Sequence, residues 1–477
     1  MLTTLRDDAL ISTSSGCAVR IALPWIRALP LSSLGDLAIE IDGRAVTGWT
    51  GSLAGRSVAV RGSASDDALP DENAWWFVQD RLSVESAQAL APGIHEVSIS
   101  FRLTVPYLPG GDGGPLTLPF GARRRLELDA DVADPAAPPA FADGRTSAAA
   151  APAMPSGWRL AASAFNWTAE IVRAERPAVD IVTGIVADGI AATIELEPGQ
   201  LWRSFPQVAS HEADALRARL AADGGAVSIV GMSLDDWLPS GERRDDEARL
   251  AFLAPQLTAA QAVGAEGVRL PIGQAGTPLL RRLLPLLADH DLTLFEEMQG
   301  PQHPDAVGAA IDAIADLDDP RVRLLVDASM LMPALPVTYL ERIAAAGVPP
   351  QLVTLLSEHW LDPATNDAVV ALLRAGGVPP AAHALFMNLL VRFGRTPAAA
   401  LRPVLPLVGA FHLKFWDLDD SDGRVSQPIR DLAAELALTD FSGTLCSEWG
   451  GHEWLDDDPA DVTRRHLELA HAALSAR

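Results

Sequence analysis

Leu292-Thr-Leu-Phe-Glu-Glu-Met298 and Val322-Arg-Leu-Leu-Val-Asp-Ala328 are short apolar runs that close on carboxylates. Two more apolar runs follow, Val408-Gly-Ala-Phe-His-Leu-Lys414, which closes on a histidine and a lysine, and Phe441-Ser-Gly-Thr-Leu-Cys-Ser-Glu448, which closes on a carboxylate. Runs this short and this apolar read as strands covered on both faces, the environment of a parallel sheet. Four earlier runs fit the same description, at residues 160–166, 190–196, 227–233 and 267–272. Ala-, Leu- and Arg-rich helical stretches lie between them, for example 211–222 and 247–263. Eight strand–helix units predict an α/β fold over residues 158–477, a (β/α)8 TIM barrel whose active site lies at the C-terminal strand ends. The sixth connection, about 331–407, is long and reads as a helical insertion.

Upstream the pattern changes. Residues 38–42, 57–61, 76–82 and 95–105 alternate apolar and polar positions, with turns such as Asp42-Gly43 and Pro92-Gly93 between them. Short alternating strands at this spacing predict an all-β, antiparallel β-sandwich over residues 1–130. An Ala/Pro-rich stretch at 131–157 then reads as a linker, stiff where proline is dense.

Composition narrows the partners. A net charge of -25 disfavours nucleic acid and anionic membrane, which both call for clustered cations. The two cysteines, Cys17 and Cys446, have no ligand or redox spacing, which suits a reducing compartment. With no basic segment leading into an apolar run at the N-terminus, the expected location is cytoplasmic.

The ends of the last four strands carry the chemistry. Glu297, Asp327, His412 and Glu448 form a set of three carboxylates and one imidazole without thiolate, suited to a divalent metal, Mn²⁺ before Mg²⁺, Co²⁺ or Zn²⁺. Adjacent Glu296 and Glu297 face opposite sides of a strand, and Glu297 is the expected ligand with Glu296 the fallback. The chain holds 37 cationic side chains, and Lys414 alone among them is a lysine. A compact ammonium two residues from His412, on the same strand face, reads as a functional choice. Asp417-Leu-Asp-Asp-Ser-Asp-Gly423 has calcium-like composition but the wrong register of ligands, and reads as a turn.

Glu, Asp, His and Glu on strands five to eight resemble the ligand set of the xylose isomerase-like barrel superfamily. His412-Leu-Lys414 resembles the strand-seven stretch in which the histidine binds metal, with Phe415 and Trp416 inserted before Asp417. Ile21-Ala-Leu-Pro-Trp-Ile-Arg27, Asp36-Leu-Ala-Ile-Glu-Ile-Asp-Gly43, Pro92-Gly-Ile-His-Glu-Val97 and Val105-Pro-Tyr-Leu-Pro109 resemble the β subunit of C-glycoside deglycosidases. The whole chain is thus similar to a fusion of that subunit with the barrel-type α subunit. The resemblance implies a small-molecule 3-oxo-glycoside substrate, C- or O-linked. A base takes the C2 proton, metal charge stabilises the enolate and the aglycone leaves from C1. Lys414 is the implied oxyanion partner or acid. Gln299 stands where the resemblance calls for a histidine, so His303 and His452 become the expected bases, with Glu195 and Glu296 behind them. Asn166, Glu195 and Gln299 are weaker expectations for sugar contacts. Trp167, Trp202, Trp237, Trp416, Trp449 and Trp454 follow strand ends and could stack on rings. A sugar isomerase or epimerase, and a non-catalytic carbohydrate-binding protein, are the competing readings, and a homo-oligomer is allowed.

Overall fold

The computed structural model describes residues 3–60, 74–111, 113–130, 153–238 and 241–476. Of the expected linker, residues 131–152 lie outside the described residues, as does Arg61 at the end of one expected strand.

The N-terminal part is a β-sandwich. One antiparallel sheet runs in the order Leu5–Thr13, Gly16–Ala22, Arg81–Ser86, Thr50–Leu53, Arg56–Val58. The other runs Pro115–Glu127, Ile94–Pro109, Leu34–Ile41, Arg44–Ala45. Alternation puts Val19, Val84, Ile39, Val97 and Phe101 into one shared core. The expected strand at 76–82 is divided. Trp75–Trp76 pairs with Leu29–Pro30, and the chain turns before Arg81–Ser86, where Asp80 N–H donates to the Phe77 carbonyl.

Eight parallel strands then close into a barrel: Trp158–Ser163, Thr193–Leu196, Ala226–Gly231, Gly267–Pro271, Thr293–Met298, Val322–Asp327, Val408–Phe415 and Gly443–Trp449. All eight expected strands are present, with ends shifted by a few residues. The first stops early because the Ser163 hydroxyl accepts from Phe165 N–H and starts a 3₁₀ turn over Ala164–Trp167, which carries Asn166 beyond the strand.

Two additions flank the C-terminal rim. After strand six come four helices, Val337–Ala345, Pro350–Glu358, Pro363–Arg374 and His383–Val391. Their core of Tyr339, Leu356, Phe386 and Phe393 takes in Trp416 and Trp454 from the loops after strands seven and eight. On the other side the sandwich rests on the loops after strands one to three. Gln79 bonds the backbone at Ile171, Arg176 and Ala178. Gln200 donates to the Ile26 carbonyl at 2.9 Å, Arg27 pairs with Asp235, and Trp237 N–H donates to the Pro106 carbonyl. The barrel mouth therefore lies between the sandwich and the insertion. No helix among the described residues is long and apolar enough to cross a membrane.

Candidate metal centre at the barrel mouth

Ile229, Phe295, Leu325 and Ala410 meet inside the barrel as one apolar layer. Strand alternation puts the residues two positions further along on the same inner face. Those residues are Gly231, Glu297, Asp327 and His412, so the layer above the hydrocarbon is polar. Asp327 and His412 are paired in register, and Glu448 enters from strand eight. One ligand atom from each of Glu297, Asp327, His412 and Glu448 lies within 4.8 Å of all the others, and all four residues are buried. Glu296 points the opposite way. It accepts from Gly273 N–H at 3.0 Å, and burial pushes its carboxyl up to about 7.

The electrostatics of the group are unbalanced. His412 Nδ1 lies 3.0 Å from Glu297 Oε1 and 3.2 Å from Glu448 Oε2, while Nε2 lies 3.0 Å from Glu195 Oε2. Burial alone would lower its pKa. Glu195, Glu448 and Glu297 outweigh burial and hold it well above the ordinary histidine value. Burial raises Asp327 to about 6, with Lys414 opposing. Glu448 is held well below the usual carboxylate range against burial, by His412 and Lys414, whose Nζ donates to Oε2 at 2.9 Å. Glu195, Glu197, Glu297, Asp327 and Glu448 thus face two permanent cations, Arg269 and Lys414, and one imidazole. His412 Nδ1 is buried with no hydrogen-bond partner among the described residues, and it faces two carboxylate oxygens. A divalent ion fits such a donor set, with neutral imidazole giving its Nδ1 lone pair and Nε2–H donating to Glu195.

No protein-family profile matches the chain. Against individual proteins, the chain is similar to the C-glycoside deglycosidase α subunit of Arthrobacter globiformis, 26% identical over 333 residues that span 67% of this chain and 93% of that protein. A shorter N-terminal stretch is similar to the 3′-dehydrocarminate deglycosidase β subunit of a Microbacterium species, 32% identical over 125 residues covering 90% of it. The chain belongs to the C-glycoside deglycosidase family. Among solved structures, the xylose isomerase domain protein from Planctomyces limnophilus superposes with a TM-score of 0.37 at 14% identity, over 65% of this chain and 93% of its own.

Several residues of this deglycosidase-family chain sit where the sequence did not predict. Glu195 is fully buried between Arg269 Nε, at 2.8 Å, and His412, so it is out of reach of a sugar. Asn166 is also fully buried. Its amide donates to Thr463 Oγ1 and the Ser447 carbonyl, and its oxygen accepts from Trp449 N–H, making it a strut between strands one and eight. Gln299 is exposed just beyond the strand. The His303 ring caps the turn Pro304–Val307 by accepting from Asp305 N–H and lies 3.4 Å from the Asp305 carboxylate. The six rim tryptophans are all buried: Trp167 and Trp202 join the barrel core, Trp416 and Trp454 pack with the insertion, and Trp449 packs with Phe415 and Val462.

His452 is placed differently. Its Nδ1 lies 3.0 Å from the Trp449 carbonyl, so that nitrogen carries the proton and Nε2 keeps a lone pair. Burial pushes the ring down to about 4, against Glu453 and helped by Lys414. Its loop is not a flexible one. A Cβ at Gly451 would fall 1.9 Å from the Trp416 carbonyl, and one at Gly450 would fall 2.5 Å from Trp416 Nε1, so both glycines serve close packing. Phe165 joins the group unannounced by any motif, edge-to-face with His452 at 5.0 Å and 5.1 Å from Lys414 Nζ. Arg269 and Glu197 were missed too. Their signal was an arginine inside the apolar strand Gly267-Val-Arg-Leu-Pro271, and a second glutamate two residues after Glu195.

Proposed function

We propose that this chain cleaves 3-oxo-glycosides, C- or O-linked, by removing the C2 proton and eliminating the aglycone from C1, with a divalent metal, Mn²⁺ being the best suited. The observation that carries the reading is the buried excess of carboxylate around His412 at a barrel mouth, in a chain similar to deglycosidase subunits over both its parts. Glu297, Asp327, Glu448 and His412 Nδ1 would hold the ion, which supplies Lewis-acid charge for an oxygen of the substrate.

The remaining work falls to side chains of the chain. A ketone at C3 acidifies the C2–H bond. His452 Nε2, neutral and carrying its lone pair, takes that proton. The C2–H electron pair becomes the C1–C2 double bond as the C1–aglycone bond breaks, and the aglycone leaves with the bonding pair. Lys414, its charge kept by Glu448 and Asp327, stabilises the negative charge that develops and gives a proton to the departing group. Phe165, beside Lys414 and His452, narrows the water-exposed side of both. The sandwich is read as the built-in counterpart of the separate β subunits.

Mass spectrometry of products from Mn²⁺-loaded protein with a 3-oxo-C-glucoside and its O-linked analogue tests this, with a chelated sample as blank. Metal-dependent release of free aglycone is the expected result. Intact glycoside in every tube, from protein carrying metal, would replace the reading with an isomerase or epimerase acting on a free sugar.

A further inference from the structure

We infer that Arg269 is a positioning residue for the metal centre: its guanidinium fixes which oxygen of Glu297 and which nitrogen of His412 face the ion. The inference rests on the metal-site reading above and goes one shell outward from it.

Arg269 lies on strand four, largely buried, and each of its three nitrogens takes a different carboxylate. Nη1 donates to Glu297 Oε2 at 2.7 Å, Nε donates to Glu195 Oε1 at 2.8 Å, and Nη2 donates to Glu197 Oε1. The first bond removes Oε2 from the metal side, so Glu297 offers only Oε1, the atom 3.0 Å from His412 Nδ1. The second holds Glu195 so that its other oxygen, Oε2, lies 3.0 Å from His412 Nε2. A carboxylate accepts, so Nε2 must carry the proton there, and Nδ1 is the nitrogen left to bind. One planar fork therefore sets two ligand atoms at once. A lysine has the charge but not the fork, and a single ammonium cannot hold three carboxylates in these directions.

Strand three is shaped around this clamp. Gly231 has an ordinary backbone conformation, so its lack of a side chain answers to space. A Cβ there would fall 2.5 and 2.7 Å from the two Glu197 oxygens and 2.8 Å from Arg269 Nη2. Gly231 is the notch into which the guanidinium and Glu197 fit. Two residues on different strands thus serve the same arrangement, and neither is among the four ligands.

The test is calorimetric titration of Mn²⁺ into the full-length metal-free protein, in wild type, Arg269→Lys and Gly231→Ala, with thermal melts to confirm folding. The Mn²⁺ electron paramagnetic resonance spectrum is recorded for each loaded protein. Folded Arg269→Lys is expected to bind about 10–100-fold more weakly. Its spectrum should change, because Glu297 is then free to bind through both oxygens. Gly231→Ala, which alters no charge, is expected to weaken binding several-fold in the same direction. Folded Arg269→Lys with wild-type affinity and an unchanged spectrum would overturn the inference. If Arg269→Lys does not fold, wild-type affinity and spectrum in Gly231→Ala overturn it instead. Wild type that takes up no Mn²⁺ would overturn the metal reading itself, and this inference with it, so the two failures are told apart by which protein fails.

Discussion

Two clusters of buried charge among the described residues are built differently. At the seam between sandwich and barrel, Arg27, Arg244 and Arg249 face Asp235, Asp236 and Asp246. Arg27 also lies over the Tyr107 ring at 4.0 Å, and Arg249 donates to the Ala275 carbonyl. There the charges are matched one to one, as a structural interface demands. At the barrel mouth, Glu195, Glu197, Glu297, Asp327 and Glu448 outnumber Arg269 and Lys414, even with His412 protonated. Burial costs both clusters alike, so burial does not mark function. Surplus charge of one sign is the better pointer to a site, because a buried charge without a partner is costly.

The strongest test of this contrast is to replace a mouth residue that is none of the four candidate ligands. His452→Gln should lower aglycone release by about 10²–10⁴-fold while leaving metal content and melting temperature as in wild type. Equal loss of folding would make His452 a packing residue. The seam should respond in the opposite sense. Asp235→Ala leaves Arg27 buried without its partner and should cost about 3–5 kcal/mol in urea unfolding, with Mn²⁺ affinity unchanged in the folded fraction. A fall in metal affinity there would mean that the two clusters are coupled.

Acidity sharpens the contrast further. His452 must be neutral to accept a proton, and its value is lowered to about 4, so acidification protonates it late. The acid limb of kcat/KM should therefore fall well below the ordinary histidine value of about 6.5. A limb near 6.5 would assign the base to an unperturbed group. Asp327→Asn should leave the stability of the metal-free protein within about 1 kcal/mol of wild type, or raise it, because the change removes surplus negative charge. A large loss of metal-free stability would show that the surplus is already compensated inside the chain. Smallest of all, His303→Ala should change stability and activity little, within about 0.5 kcal/mol, since its ring is 43% exposed and serves only a turn.

The sequence made the barrel legible because strands buried on both faces leave unbroken apolar runs, and the four inward carboxylate and imidazole positions close those runs at matching places. The sandwich was legible from alternation, except where Trp76 and Arg81 fall on either side of a turn that alternation cannot register. The inner and outer faces of the mouth were only half legible. Parity separated Glu297 from Glu296, but no local pattern says that Glu195 accepts from His412 across the barrel, over 217 residues of sequence. Nor does any pattern say that Asn166 spends its hydrogen bonds on strand eight and the helix that follows it. Gly450 and Gly451 misled for a related reason: glycine in sequence signals either freedom or close approach, and only the Trp416 wall tells which.

The proposed function stands on one divalent ion completing the barrel mouth. Metal content by inductively coupled plasma mass spectrometry, after dialysis against Mn²⁺ and gel filtration, tests it most directly in wild type and Asp327→Asn. One ion per chain in wild type and close to none in the folded variant is the predicted result. Wild type that emerges without metal yet releases aglycone in the presence of chelator would contradict the claim.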